Sequence, residues 1–295
     1  MNIIFQVDGG LGKSIIATAM VEVIKNRYKN SNLIIVTAYP DVFLNNPNVD
    51  ECFRFEQMSG AYLKYIKDKD CKLFVEDPYR NTGFLTEKEH LLETWCKIYG
   101  LKYNNEQPKI YLTDPEKEYF TPFYKTEKPI MIIQPNGGPS QQGYKYAWTR
   151  DIPEITVNSL IQHYKDTYTI VHIRRQDQYE YEDTLSALDG YRSIAILILL
   201  SEKRVLIDSF AQHLAAALGK ESTVCWVATK PKVFGYEMHD NILANEFTKE
   251  PDFTNAIYQP FNLAEDISSI PYNKLEEVFD INKIVKSINK QNIKF

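Results

Sequence analysis

Short apolar runs alternate with stretches of helical period along the whole chain. Residues 3–7, 33–37 and 72–75 read as buried strands. Between them, 14–28 repeats apolar residues at helical spacing through Ile16, Ala19, Met20, Val23 and Ile24, and 60–67 and 87–99 read as further helices. The Asn- and Pro-rich stretch 41–48 reads as a loop. A second series opens at 130–133 and continues with strands at 169–173, 205–207 and 223–227. Its helices are expected at 156–164, 193–200 and 210–218. Residues 275–288 carry Leu275, Val278, Phe279, Ile281, Ile284, Val285 and Ile288, an amphipathic helix. Strand–helix alternation predicts parallel sheets covered on both faces. The charged stretch 108–128, with Pro108, Pro115 and Pro122, is the natural break. The expectation is an α/β chain of two Rossmann-like, doubly wound halves, residues 1–125 and 126–275, with a final helix over 276–295 packing back toward the first half.

Composition narrows the class. With 295 residues the chain exceeds a usual single domain, and 44% hydrophobic with 25% charged residues fits two sizeable cores. A formal net charge of −5 argues against a basic nucleic-acid platform. Cys52, Cys71, Cys96 and Cys225 form no C-x-x-C pair, and Cys71 and Cys225, which border apolar runs, read as reduced core residues, which with the absence of a leader-like start points to the cytoplasm. No metal-ligand spacing stands out among the five histidines, and no apolar run is long enough to span a bilayer.

The chemistry concentrates at 205–219. A strand runs into Asp208-Ser209; Ser209 is a good N-cap, Phe210 opens a small-residue helix, His213 lies one turn in, and Gly219 stops it. A helix N-terminus directly after a parallel strand presents free N–H groups and the positive dipole end to a phosphate. The structural alternative is a plain strand–helix unit with a satisfied histidine.

In this setting the chain resembles the heptosyltransferase-like glycosyltransferases of family 9, which have the GT-B fold. The resembling residues are the loop Gly9-Gly10-Leu11-Gly12, Asn46-Pro47-Asn48-Val49-Asp50, Gln134-Pro135-Asn136-Gly137-Gly138 leading to Trp148, and the block from Asp208 to Gly219, similar to D-[ST]-G-x-x-H-L-A-A-A-L-G. The resemblance implies an inverting, metal-independent transfer of a sugar from a nucleotide sugar to a glycan or other hydroxyl acceptor. It implies no cofactor, a donor held by the C-terminal half and an acceptor entering from the N-terminal half. Without a metal, helix N-termini and cationic side chains must stabilise the leaving diphosphate. Donor-side candidates are Asp208, Ser209, Phe210, His213, Lys145, Arg174, Arg175 and Lys230.

Three departures matter. Phe210 replaces the family's glycine, Lys145 stands three residues before Trp148 rather than two, and Lys13 occupies the place of the family's catalytic aspartate. Asp8 is therefore the substitute base, with Lys13 holding it ionised or meeting an anionic acceptor. The acceptor is open at this level, and a modified nucleic-acid base is among the possibilities. Other readings are a non-catalytic nucleotide- or sugar-binding protein of the same fold, and a deviant Walker-type ATPase suggested by Asp8-Gly9-Gly10-Leu11-Gly12-Lys13-Ser14. An acidic residue at Asp8 would repel phosphate in that second case.

Overall fold

A computed structural model describes residues 1–138, 146–188, 190–250 and 270–291, and divides the chain into two compact units, Met1–Thr113 and Asp114–Phe295. Unit 1 holds a four-stranded sheet of β1 (Asn2–Val7), β2 (Asn32–Thr37), β3 (Glu51–Phe53) and β4 (Cys71–Phe74), in the order β3-β2-β1-β4. All its pairs are parallel, with Asn2 opposite both Asn32 and Cys71. β1 and β2 are apolar on both faces, with Ile3, Ile4, Phe5, Leu33, Ile34 and Ile35 fully buried, as a sheet covered on each side requires.

Helix α1 (Leu11–Arg27) starts at Leu11, earlier than the periodicity predicts, because Gly10 serves as its N-cap in extended conformation. Two expected helices come out shorter. The one at 60–67 is α2 (Met58–Ala61) followed by a single wide turn, Tyr62–Ile66. The one expected over 87–99 is α4 (Leu91–Ile98), starting later because Glu87 takes a positive φ of 52°; a separate short α3 (Thr82–Leu85) precedes it. On α4, Trp95 is buried with its ring edge-on to Phe5, at 5.4 Å between centroids.

Unit 2 begins with α5 (Asp114–Phe120), inside the stretch expected to be a linker, so the division falls ahead of the expected 125/126. Its sheet contains β5 (Ile130–Ile133), β6 (Thr169–Ile173), β7 (Leu185–Ala187), β8 (Lys203–Ile207), β9 (Thr223–Trp226) and β10 (Asp240–Leu243). The order is β10-β9-β8-β5-β6-β7, again parallel throughout. The connecting helices are α6 (Glu154–Tyr164), α7 (Tyr191–Leu200), α8 (Phe210–Ala217) and α9 (Pro231–Phe234). The expectation of two parallel α/β halves is met.

The final helix, α10 (Ile281–Lys290), does not join the 275–288 run as one piece. Asp280 caps it, its carboxylate accepting from the Asn282 N–H at 3.0 Å, after a separate turn at Leu275–Glu277. Its apolar side is spent on unit 2, where Ile284 and Ile288 are fully buried in one core with Met131, Val205 and Ile207. Just past its end, Gln291 accepts from the Arg204 N–H and donates to the Arg204 carbonyl, at 2.9 and 2.8 Å. The helix is thus docked on the second sheet.

Candidate active site

In each sheet the direction of strand addition reverses once. Unit 2 builds outward from β5 through β6 to β7, then returns to the other flank of β5 with β8. The loops leaving β5 and β8 therefore diverge, and an open parallel sheet presents its ligand crevice beyond the carboxyl ends at such a switch point. At β5 the segment is Gln134-Pro135-Asn136-Gly137-Gly138; at β8 it is Asp208-Ser209 and the start of α8. The two sides are tied together: the Gln134 amide donates to the Ser209 hydroxyl at 3.3 Å, and its backbone N–H to the Val205 carbonyl at 2.9 Å.

The β5 segment is held by the buried Asp151. Its carboxylate accepts from the Asn136 amide (3.0 Å), the Gly137 N–H (3.0 Å) and the Ala147 N–H (2.9 Å). Burial pushes this carboxyl above its ordinary range, with those donors pulling the other way. Arg150 lies across the glycine pair. A Cβ on Gly137 would stand 3.1 Å from the Arg150 Cδ, and one on Gly138, whose φ is +69°, 3.1 Å from a terminal guanidinium nitrogen. The glycines are thus the space into which the arginine packs. Its Nε is buried with no hydrogen-bond partner among the described residues. Burial also raises the Asp208 carboxyl, against the Thr229 hydroxyl and the Arg150 charge.

Ser209 takes an extended backbone, φ −155°, and its hydroxyl does not cap α8. The Phe210 and Ala211 N–H groups, at the positive end of α8, meet no acceptor among the described residues. The oxygens of Gln134 and Asn136, both nearly fully buried side chains, are likewise unpartnered there. Of these groups Gln134 and Asn136 belong to the resembling segment 134–138 without an individual role, and Arg150 and Asp151 were not singled out as site residues from sequence. Arg150 had a signal, since the aromatic and cationic run 143–150 is conspicuous, but only the close glycine packing marks which cation sits at the switch point.

The remaining donor-side candidates divide. His213 is 4% exposed, its Nδ1 3.0 Å from the Tyr236 hydroxyl and 3.1 Å from the Gln212 amide. Arg174 follows β6 but is held by the Ser186 hydroxyl at 2.7 Å and paired with Glu180 at 2.8 Å. Arg175 stays at the surface beside Asp177, 3.2 Å away, and Lys230 is exposed as the N-cap of α9. Lys145 lies outside the described residues.

Unit 1 has its own switch point between β1 and β4, since β2 and β3 lie on one flank of β1 and β4 on the other. Gly9 follows β1 with φ +105°, and its missing Cβ leaves room for the Lys13 Cδ, 3.2 Å from where it would stand. Lys13 was expected to hold Asp8. Instead it is buried, and its ammonium donates to Asp77 beyond β4 at 2.7 Å, lying 4.3 Å from the Tyr79 ring centroid. Asp8 is exposed, its carboxylate taking the Gln6 amide at 3.1 Å. In the Walker-like run, Gly12 and Lys13 lie in the first turn of α1 and the lysine is bonded to the Asp77 carboxylate.

Among the described residues no group of three or more His, Cys, Asp or Glu side chains is arranged to hold a metal, and no helix is long and apolar enough to cross a membrane.

No family model and no curated protein matches the sequence. Solved structures do. The E. coli ADP-heptose lps heptosyltransferase II is similar over 98% of this chain and 98% of its own, with TM-score 0.67 and 13% identity. A glycosyl transferase family 9 structure from Veillonella parvula covers 98% of this chain and 96% of its own, at 0.65 and 14%. The E. coli heptosyltransferase WaaC with ADP covers 99% and 100%, at 0.60 and 11%. With two parallel α/β sheets, each with a topological switch point, and this likeness over nearly its whole length, the chain has the GT-B fold of the heptosyltransferases.

Proposed function

We propose that this protein is a glycosyltransferase that moves a sugar from a nucleotide sugar to a hydroxyl acceptor, with the donor diphosphate seated at the β5/β8 crevice. The observation that carries this is the set of groups at one switch point: an open helix N-terminus, the Arg150 guanidinium on a glycine pair, and two buried amides with unpartnered oxygens. The acceptor oxygen bonds to the anomeric carbon as the bond from that carbon to the diphosphate breaks, with inversion. Negative charge grows on the departing phosphate oxygens. Fixed N–H dipoles and a guanidinium meet it without reorganising, the electrostatic role that supplies most of such catalysis. The α8 N–H groups and Arg150 fill that role, with Arg175 and Lys230 at the neighbouring strand ends. The Gln134 and Asn136 oxygens suit hydroxyl or amino donors of the ligand. A likeness to proteins described with ADP and ADP-heptose makes ADP the first nucleotide to try.

The test is a thermal-shift panel of ADP, GDP, UDP and CMP with their sugars, followed by assay of nucleotide release in buffer containing chelator. One nucleotide class should raise the midpoint, since a ligand bound only to the folded state stabilises it by mass action. Release should persist with the chelator present. A panel in which nothing stabilises the protein, or in which Arg150→Ala binds the stabilising nucleotide as tightly as wild type, overturns the assignment.

A further inference from the structure

The sheet of unit 1 ends in β4, whose outer edge pairs with no other strand among the described residues. The Asn2 N–H donates to the Asp70 carbonyl at 2.8 Å, so Asp70, Lys72 and Phe74 turn their backbone groups toward β1. Cys71, Leu73 and Val75 turn theirs the other way. The Val75 N–H meets the carboxylate of its own neighbour, Glu76, at 3.3 Å. Leu73 lies beside Ile4 in the ladder, on the face that α2 and the wide turn after it cover through Met58, Tyr65 and Ile66. That cover buries Ile4 but stops short of the edge, and Leu73 and Val75 are 47% and 42% exposed. On the opposite face Phe74 is buried and stacked on Tyr99, with Lys72 two residues before it and Glu76 two after, both exposed. A bare edge carrying apolar side chains is a template for one more strand.

We infer that this edge joins two copies of the chain, β4 pairing antiparallel with β4 of the second copy about a two-fold axis at Phe74. The order of residues along the strand selects both the partner and the register. With Phe74 opposite its own copy, Leu73 stands opposite Val75 and Lys72 opposite Glu76, and the axis repeats each pair. Apolar meets apolar on one face, and opposite charges meet on the other. A slip of two residues one way sets Asp70 against Glu76 and Lys72 against Phe74; the other way it sets Phe74 against Glu76 and Leu73 against Asp77. A slip of one turns every side chain to the wrong face. The same register makes Leu73 and Val75 the pair that exchanges backbone bonds, because both turn their groups outward. The Val75 N–H then passes from the Glu76 carboxylate to a carbonyl, which frees Glu76 for Lys72 of the second copy. Lys72 gives up only an exposed bond to the Tyr28 hydroxyl, 3.1 Å long. An edge lysine ordinarily blocks such pairing. Here the glutamate four places on makes it an attachment, and the two four-stranded sheets become one.

Sedimentation velocity of the full chain across a wide span of concentration reads the association. Wild type should pass from monomer to dimer in the micromolar range, as suits a small contact. Lys72→Glu and Glu76→Lys each place like charges opposite one another at both ends of the paired strands, and each alone should weaken the dimer about tenfold or more. Mixed in equal amounts, the two variants should associate with each other about as tightly as wild type does with itself, because every facing pair is again of opposite charge. Leu73→Pro removes an outward N–H and no bond to β1, and it should abolish the dimer. Both charge changes sit at exposed positions and should leave the thermal midpoint near that of wild type, so they test the pairing even where the proline variant fails to fold. A wild type that stays monomeric at the highest concentration overturns the inference. So does a dimer unmoved by either charge change, or a mixture of the two variants no more associated than each alone.

Discussion

Asp151 gives the sharpest test of how the donor-side crevice is built. Its two oxygens take three N–H donors, from Asn136, Gly137 and Ala147, and so lock the β5 exit to the segment that carries Arg150. Asp151→Ala removes all three bonds at once. At about 1.5 kcal/mol for each bond to a charged group, the loss is about 4–5 kcal/mol; relief of the buried charge brings the expected figure to about 3–4 kcal/mol. For a unit of this size that lowers the midpoint by about 10 °C. Asp151→Asn offers one acceptor oxygen instead of two but sheds the buried charge, so it should lose less than half as much. The carboxylate is needed here for its pair of acceptors more than for its charge. The pH dependence carries a definite sign. Burial raises this carboxyl above its ordinary 3.8, so the folded protein holds a proton that the unfolded chain has released. That contribution is complete below 3.8 and is lost as pH rises through the raised value; in Asp151→Ala the slope is gone. The assay is urea unfolding followed by tryptophan fluorescence in a Trp95→Phe background, which leaves Trp148 and Trp226 of unit 2 as reporters. An alanine variant within about 1 kcal/mol of wild type would refute the reasoning, because the three donors would then be satisfied without the carboxylate.

Further consequences are open to measurement. Gly137→Ala places a Cβ 3.1 Å from Arg150 Cδ and 3.3 Å from Ile207 Cδ1, so the arginine must move; titration calorimetry should show the stabilising nucleotide bound about tenfold more weakly, a change of about 1.4 kcal/mol. Ile284→Ala, in the fully buried face of α10, should cost about 3 kcal/mol in chemical denaturation, and a small loss would mean that α10 is not docked on the second sheet. His172 is buried in β6 with neither ring nitrogen partnered among the described residues, and burial with the Arg174 charge lowers its pKa to about 3. Its neutral form favours folding above 6.5 and that advantage is lost as pH falls toward 3. His172→Leu should therefore gain stability relative to wild type as pH drops from 6.5, and a constant difference across that range would contradict it. Gly219, at φ +68° with open space around it, should lose about 1 kcal/mol on change to Ala and less on change to Asn, read by thermal midpoint.

The sequence by itself determined the strands, the class and the repeated βα order. Runs such as Ile3-Ile4-Phe5 and Val205-Leu206-Ile207 are apolar on both faces, which a strand tolerates only inside a covered parallel sheet, and Gly219 marks the end of α8 because its backbone is left-handed. Short edge strands escaped it: β3, β7 and β10 have three or four residues, polar in part, and are strands only because a neighbour supplies the ladder. In the Asp208–Gly219 block, His213 bonds to Tyr236, twenty-three residues on, a partner that local spacing does not reveal. The partner of Lys13 was equally out of reach. Asp77 lies sixty-four residues away and meets it because β4 pairs with β1 on the flank opposite β2, a placement made by sheet order. Local pattern reports which residues form a strand or helix because those contacts span a few positions. Which charge faces which is decided by the order of strands in the sheet, and only the tertiary structure holds that order.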